Sequence, residues 1–230
     1  MLSVVVAAAN ASEHLAECLD AVGRAAQAAA PGMHPAEICE VVVVAHRCVD
    51  HTAALATMLD ARVVESQAPT LAASRNLGVA ASAGELLVLI DADCLIPVCA
   101  LFDVLHHLAD PSVVGGGAGF VPERHSLGID LAVGVRRLGL AVGGVGGALH
   151  WCRRADFDAI GGFDPTRADG EEADFARRLR DHGLDTDRRY VVLRDTPVVV
   201  SSRRFDRYGD RHLLGSLARR SSRLGLSAWP

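Results

Sequence analysis

In the stretch ELLVLIDADCLIP, residues 85–97, a run with almost nothing polar ends in Asp91 and Asp93. A short apolar run of this kind reads as a fully buried strand, and the aspartates then fall where the strand leaves the core. Side chains two apart on an extended chain point the same way, so two carboxylates would face one small volume. Like charges that close need a counter-charge. A divalent cation supplies one, since Mg2+ and Mn2+ take hard oxygen ligands and grip phosphate oxygens at the same time. The competing reading is a solvated turn, or the cap of a helix after Pro97, because Asp-x-Asp tripeptides are common. In GEEADFARRLRDHG, residues 170–183, Glu171 and Glu172 open a helix whose Phe175 and Leu179 face the core and which Gly183 ends. Acidic groups in a first turn also serve simply as partners of the helix dipole. Arg75 offers a guanidinium fork suited to phosphate oxygens, although a lone arginine on a helix is more often a solvated charge.

The elements that must position these groups follow from periodicity. Ser3 to Ala9 reads as a first buried strand, and Asn10 with Glu13 resembles a capping box for a helix burying Leu15, Cys18, Leu19 and Val22. CEVVVVAH is a second strand, followed by a helix capped by Asp50 or Thr52, and ARVVES is a third. TLAASRNLGVAASAG predicts a helix with Leu71, Ser74 and Leu77, or Leu77 and Ala81, along one face and Gly84 as its C-cap. The strand ending in Asp91 comes next. Strands alternating with helices predict a mostly parallel, helix-flanked sheet with its ligand beyond the strand carboxyl ends. Past Pro97 the pattern becomes a helix through Leu101, Leu105 and Leu108, a short strand at SVVGGG, and a glycine-dense stretch from Gly139 to Gly147. The expected organisation is one domain over 1–230 in two halves, 1–96 and 97–230, the second ending in a C-terminal helix.

The 230 residues, half of them apolar, suffice for a substantial core. A net charge of −5, with no lysine, gives no electrostatic reason to expect nucleic-acid binding. The six cysteines form no CxxC pair and sit mostly in apolar segments, which suits reduced, buried thiols and a cytoplasmic compartment. The apolar start lacks a basic leader, and charged residues interrupt every stretch long enough to span a bilayer.

The ordered segments SVVVAAANASEHLAECLDAV, VVVVAHRCVDHTAALA, ASRNLGVAASAGELLVLIDADC, CRRADFDAIGGFD and GEEADFARRLRDHG resemble, in register, the inverting nucleotide-sugar glycosyltransferases of the GT-A fold, glycosyltransferase family 2. The resemblance implies an α/β fold of GT-A type and transfer of a sugar from a nucleotide-diphosphate donor to an acceptor hydroxyl. Ala9 and Asn10 would border the base, and Arg75 and Asn76 would lie near the diphosphate. Asp91, Ala92 and Asp93 would form the motif for Mg2+ or Mn2+ and the sugar nucleotide, with Asp93 touching the metal more directly. Gly161, Gly162, Phe163 and Asp164 would line the acceptor side, and Glu172, next to Glu171, would be the general base. Arg203 and Arg204, following a strand, would close over the diphosphate; a solvated basic loop is the equal alternative.

Two departures from the family pattern stand out. The second acidic position is usually Asp, and here it is Glu172, one methylene longer. In VVVVAHRCVDHT, Ala45 and His46 replace the acidic pair that commonly reads the base; a neutral imidazole can still make one hydrogen bond there. No Gln-x-x-Arg-Trp segment is present, which favours single-sugar transfer. His150 or His212 could complete a metal shell, and the final helix, with Leu213, Leu214 and Leu217 against Arg219, Arg220 and Arg223, could lie on an anionic membrane surface beside a lipid-linked acceptor. The acceptor is otherwise a small molecule or glycan. Two rivals are a catalytically silent nucleotide-sugar binding protein and a sugar-phosphate nucleotidyltransferase, though AAANASEH offers no glycine-rich basic loop for the latter. A phosphatase would carry its Asp-x-Asp on the first strand.

Overall fold

Valine-rich runs become the centre of a mixed sheet in the computed structural model, which describes residues 1–126, 129 and 148–201. β1 (Leu2–Ala8), β2 (Cys39–His46), β3 (Arg62–Ser66) and β4 (Leu86–Asp91) are parallel, in the order β3-β2-β1-β4. All seven residues of β1 are buried, as expected of a strand covered on both faces. The chain builds outward from β1 to β2 and β3, then returns to place β4 on the other side. The switch point therefore lies between β1 and β4, where a doubly wound sheet opens a crevice beyond its strand carboxyl ends.

The other half of the sheet runs differently. β5 (Cys94–Leu95) is a two-residue strand after β4, and β6 (Val113–Pro122), β7 (Leu149–Arg153) and β8 (Arg189–Val200) complete the order β4-β7-β6-β8-β5. β7 pairs antiparallel with β4, Ile90 facing Leu149, and β6 pairs antiparallel with β7. Among the described residues the helices are α1 (Leu15–Ala29), α2 (Pro35–Ile38), α3 (Thr52–Met58), α4 (Leu71–Ala81), α5 (Ala100–Ala109), α6 (Arg154–Ala159) and α7 (Glu171–Asp185). α4 packs on β1 and β2, and α1 packs on α3 and α5. One core cluster gathers Val5, Val44, Leu87 and Leu89 from the strands with Phe157, Phe163, Phe175 and Leu179 from the helical side. The chain divides into two compact units, Met1–Phe120 with Val145–Val199, and Val121–Gly144 with Val200–Pro230. All the site residues described below belong to the first.

Adjacent arginines hold two helix ends. Arg153 donates to the carbonyls of Leu108 (2.6 Å), Asp110 (3.0 Å) and Val113 (2.5 Å), while Arg154 donates to those of Val79 (2.9 Å), Ser82 (3.1 Å) and Gly84 (2.8 Å). Each guanidinium satisfies carbonyls that the end of α5 or α4 would leave bare.

Four local expectations change. α4 buries Ala72, Ser74, Arg75, Gly78 and Val79, and Leu77 is exposed, because Arg75 turns inward to meet carboxylates. α4 ends at Ser82; Gly84 instead gives its N–H to Ser3 Oγ (2.8 Å) and Glu40 Oε1 (3.0 Å). Asn10 caps no helix, since α1 starts at Leu15 and the Asn10 carboxamide oxygen accepts from Val49 N–H at 2.9 Å. α7 continues past Gly183 to Asp185, with Thr186 as its C-cap.

Candidate active site

β4 stops at Asp91. Ala92 donates its N–H to Ala7 O (2.9 Å) on β1, and Ala92 and Asp93 turn into β5, so the two aspartates flank a turn instead of sharing one strand face. Two buried thiols report on both carboxylates. Burial, then the charges of Asp93 and Asp91, push the Cys18 thiol up to about 12, and burial with Asp91 and Asp93 raises Cys94 well above its usual value. Cys18 Sγ lies 3.7 Å from Asp91 O and Cys94 Sγ 3.8 Å from Asp93 Oδ1. The carboxylates of Asp91 and Asp93 are hard oxygen donors of the kind that Mg2+ and Mn2+ take. Among the described residues no three His, Cys, Asp or Glu side chains are arranged to hold a metal.

The counter-charge in this structure is Arg75. Its guanidinium, 4% exposed, donates through Nη2 to Asp91 Oδ1 (2.5 Å) and Glu172 Oε1 (3.1 Å), and through Nη1 to Glu171 Oε1 (2.8 Å). Burial alone would lower its pKa, but the carboxylates of Asp91, Glu172 and Glu171 outweigh it and raise it. Glu171 and Glu172 stand in the first turn of α7, after Gly170 in the left-handed region, where the helix dipole favours negative charge.

Behind Arg75 the GGFD segment is a built turn. Gly161 and Gly162 have φ of 73° and 64°, ending α6 with N–H bonds to Asp158 O (3.0 Å) and Phe157 O (2.9 Å). Asn76 clamps the next residue at both backbone groups, Nδ2 to Phe163 O (2.8 Å) and Phe163 N to Oδ1 (2.9 Å). The Phe163 ring lies beneath the Arg75 guanidinium, 5.3 Å from its centroid. Asp164 accepts from Thr166 Oγ1 (2.7 Å) and Thr166 N (3.0 Å), and these bonds, side chain first, hold its carboxyl below the usual range.

At the ends of β1 and β2, the loop after Ala9 is tied to the loop after His46. Asn10, at φ 48°, bonds Val49; Ala11 N donates to Thr52 Oγ1 (2.8 Å) and Ser12 N to Asp50 Oδ2 (3.1 Å). His46 Nδ1 lies 2.7 Å from Ser74 Oγ, which lies 2.8 Å from Ser66 Oγ. Burial, then Arg47 and Arg75, lower the His46 pKa, so the ring is neutral at pH 7.

The structure thus brings Asp91, Arg75, Glu171 and Glu172 together, with Phe163 and Asn76 behind them, and sets Asp93 across the turn from Asp91. Asn76 is engaged with Phe163. Arg203 and Arg204 lie outside the described residues, as do His212 and the segment expected to form a C-terminal helix. His150 is buried on β7, its ring edge-on to Phe175 at 5.8 Å. Sequence reading missed Ser74 and Ser66, the hydroxyls that orient His46, and the loop-tying role of Asp50, which it took only as a helix cap.

The sequence profile described as Glycosyl transferase family 2 matches residues 3–127. No curated protein matches the chain. Among solved structures, the chain is similar to S. aureus TarS 1-349, at 16% identity and a TM-score of 0.66 over 87% of this chain and 60% of that one. The same protein in complex with UDP-GlcNAc gives a TM-score of 0.65 at 16% identity, over 87% and 58%. The mannosyltransferase PcManGT from Pyrobaculum calidifontis, in complex with GDP-Man and Mn2+, gives 0.63 at 23% identity, over 86% and 56%. The chain therefore spans about 60% of the length of these proteins, and the likeness fixes its fold as GT-A. Because the family profile runs from β1 past β6, over more than half the chain, this protein belongs to glycosyl transferase family 2.

Proposed function

We propose that the chain transfers one sugar, a hexose, from a nucleotide-diphosphate donor to an acceptor hydroxyl with inversion at the anomeric carbon. The observation that carries this reading is the meeting of the β4 terminus and the first turn of α7 at one guanidinium, Asp91 with Glu171 and Glu172. A donor-side carboxylate and an acceptor-side carboxylate share the Nη2 nitrogen of Arg75, so their oxygens are no farther apart than the sum of those two hydrogen bonds. Two of the similar structures hold a nucleotide sugar, and one of these also holds Mn2+.

In this reading Ala9, Asn10 and His46 border the base, and Asp93 and Asp91 hold Mg2+ or Mn2+ against the diphosphate. The cation, when bound, offsets charge that develops on the departing diphosphate. Glu172 takes the proton of the acceptor hydroxyl as its oxygen bonds the anomeric carbon and the bond to the diphosphate oxygen breaks. Gly161 to Asp164 shape the acceptor side, and Arg203 and Arg204 close over the donor. The nucleotide-side half would be residues 1–96 and the acceptor half 97–230, acting in the cytoplasm, with the C-terminal helix available to an anionic membrane surface. No helix among the described residues is long and apolar enough to cross a membrane.

The test is a thermal-shift screen of UDP, GDP, dTDP and their sugars with Mg2+ or Mn2+, followed by product analysis. One nucleotide is expected to stabilise the chain only with metal, and Asp93→Asn to abolish that gain; stabilisation by none sinks the reading. A second reading, nucleotide-sugar binding without transfer, is favoured by the pairing of Glu172 with Arg75, which engages one of its two carboxylate oxygens. It predicts the same stabilisation with neither transfer nor slow donor hydrolysis.

A further inference from the structure

We propose that Arg75 is a positioning residue that binds no phosphate: its buried guanidinium holds Asp91 of β4 and Glu171 and Glu172 of α7 in one fixed arrangement. The proposal rests on the reading of this corner as the transfer site and assigns how its carboxylates are kept in register.

Three observations converge on it. The guanidinium is 4% exposed and both Nη atoms already donate to carboxylates, so the cation is committed to side chains drawn from two distant segments. Its plane is set from behind, because the Phe163 ring lies under it and Asn76, the next residue on α4, pins the Phe163 backbone with two hydrogen bonds. Neighbours on one helix thus divide the work, Asn76 fixing the platform and Arg75 gathering the acids. Finally, three carboxylates converge on this one guanidinium in a partly buried volume. Deleting it would remove the cation that Asp91 and Glu171 share and let β4 and α7 drift apart at this corner. Arg75 then acts through the oxygens it orients, and a cation at Asp91 and Asp93 would feel its loss as that of an outer-shell partner.

The experiment uses the full chain and the variants Arg75→Met, Arg75→Lys and Arg75→Met with Glu171→Gln, reading melting temperature without ligand and affinity for UDP and for GDP with Mn2+ or with EDTA. Arg75→Met is expected to lower the melting temperature and to cut the Mn2+-dependent gain in nucleotide affinity about ten- to a hundredfold, with affinity in EDTA unchanged. Arg75→Lys should keep part of that gain. Adding Glu171→Gln to Arg75→Met should recover melting temperature, since it removes a carboxylate left without a cation. A fall in affinity in EDTA would place Arg75 on the diphosphate and overturn the proposal, as would an Arg75→Met chain that keeps the full Mn2+ gain. Should Arg75→Met not fold, Arg75→Lys carries the same comparison, and a double variant that folds no better than the single one also overturns it. If neither nucleotide binds the parent chain, the transfer reading fails, and recovery of melting temperature by Glu171→Gln still decides the positioning role.

Discussion

His46 is a neutral imidazole with one ring nitrogen already engaged. Ser74 Oγ is 2.7 Å from Nδ1 and 2.8 Å from Ser66 Oγ, so this hydroxyl pair fixes the ring and leaves Nε2 for a ligand. Under the proposed function Nε2 makes one hydrogen bond to an edge of the base. Ser74→Ala frees the ring and is expected to narrow the affinity ratio between the preferred nucleotide diphosphate and the others by about fivefold, readable by calorimetry, as befits one hydrogen bond of roughly 1 kcal/mol. Asp50 is the second residue with a distinct signature. Burial pushes its carboxyl up, but hydrogen bonds from the Thr52 and Ser12 side chains and backbone N–H groups outweigh it and hold the pKa at about 2, below the ordinary 3.8. A folded value below the unfolded one adds stability that is complete above pH 3.8 and lost as pH falls toward 2. Asp50→Asn should lower the melting temperature at pH 7 and flatten that acid limb. The Asp-x-Thr pattern was read as a cap, but the N-cap of α3 is His51; that Asp50 instead ties two loops together was not legible, because the partner segment lies some forty residues away in sequence.

Among the elements, the turn between α6 and α7 offers a paired comparison. Both glycines have positive φ, but a Cβ on Gly161 meets nothing within 4 Å, whereas one on Gly162 meets Asn76 Oδ1 and Phe157 at 2.8 Å. Gly161→Ala should cost about 1–2 kcal/mol, the backbone term alone. Gly162→Ala should cost more in urea unfolding, because it also displaces the Asn76 clamp. Helix α4 shows why sequence reading failed locally. Apolar periodicity put Leu77 on the packed face, and a lone helical arginine is more often solvated, yet the helix is rotated so that Arg75 lies in the interior and Leu77 in solvent. Periodicity assumes that charge seeks water, and it breaks where carboxylates from two other elements supply a better partner. That a buried charge broke the rule is itself a pointer to the site.

Across the whole molecule, the parallel half was legible strand by strand because β1, β2 and β3 are each followed in sequence by a helix. Strands at SVVGGG and before Arg203 were legible as parts of β6 and β8, but β7 and the pairing were not, since the pairing joins distant segments and β7 runs against the direction that β4 and β6 share. β4 belongs to both halves, its apolar residues flanked by β1 on one side and β7 on the other. A chain ending at residue 126 would keep every parallel pair and lose β7, leaving β4 as a bare apolar edge. Such a chain is expected to aggregate where the full chain sediments as a discrete species in ultracentrifugation. The same dependence operates during synthesis. As the polypeptide leaves the ribosome, β4 emerges fifty-odd residues before its antiparallel neighbour, a delay on the order of 3–10 s. For that interval the nascent chain presents a sticky, unpaired ridge, so translation speed and chaperone capture between Asp91 and Leu149 are expected to govern how much of the protein reaches its native state.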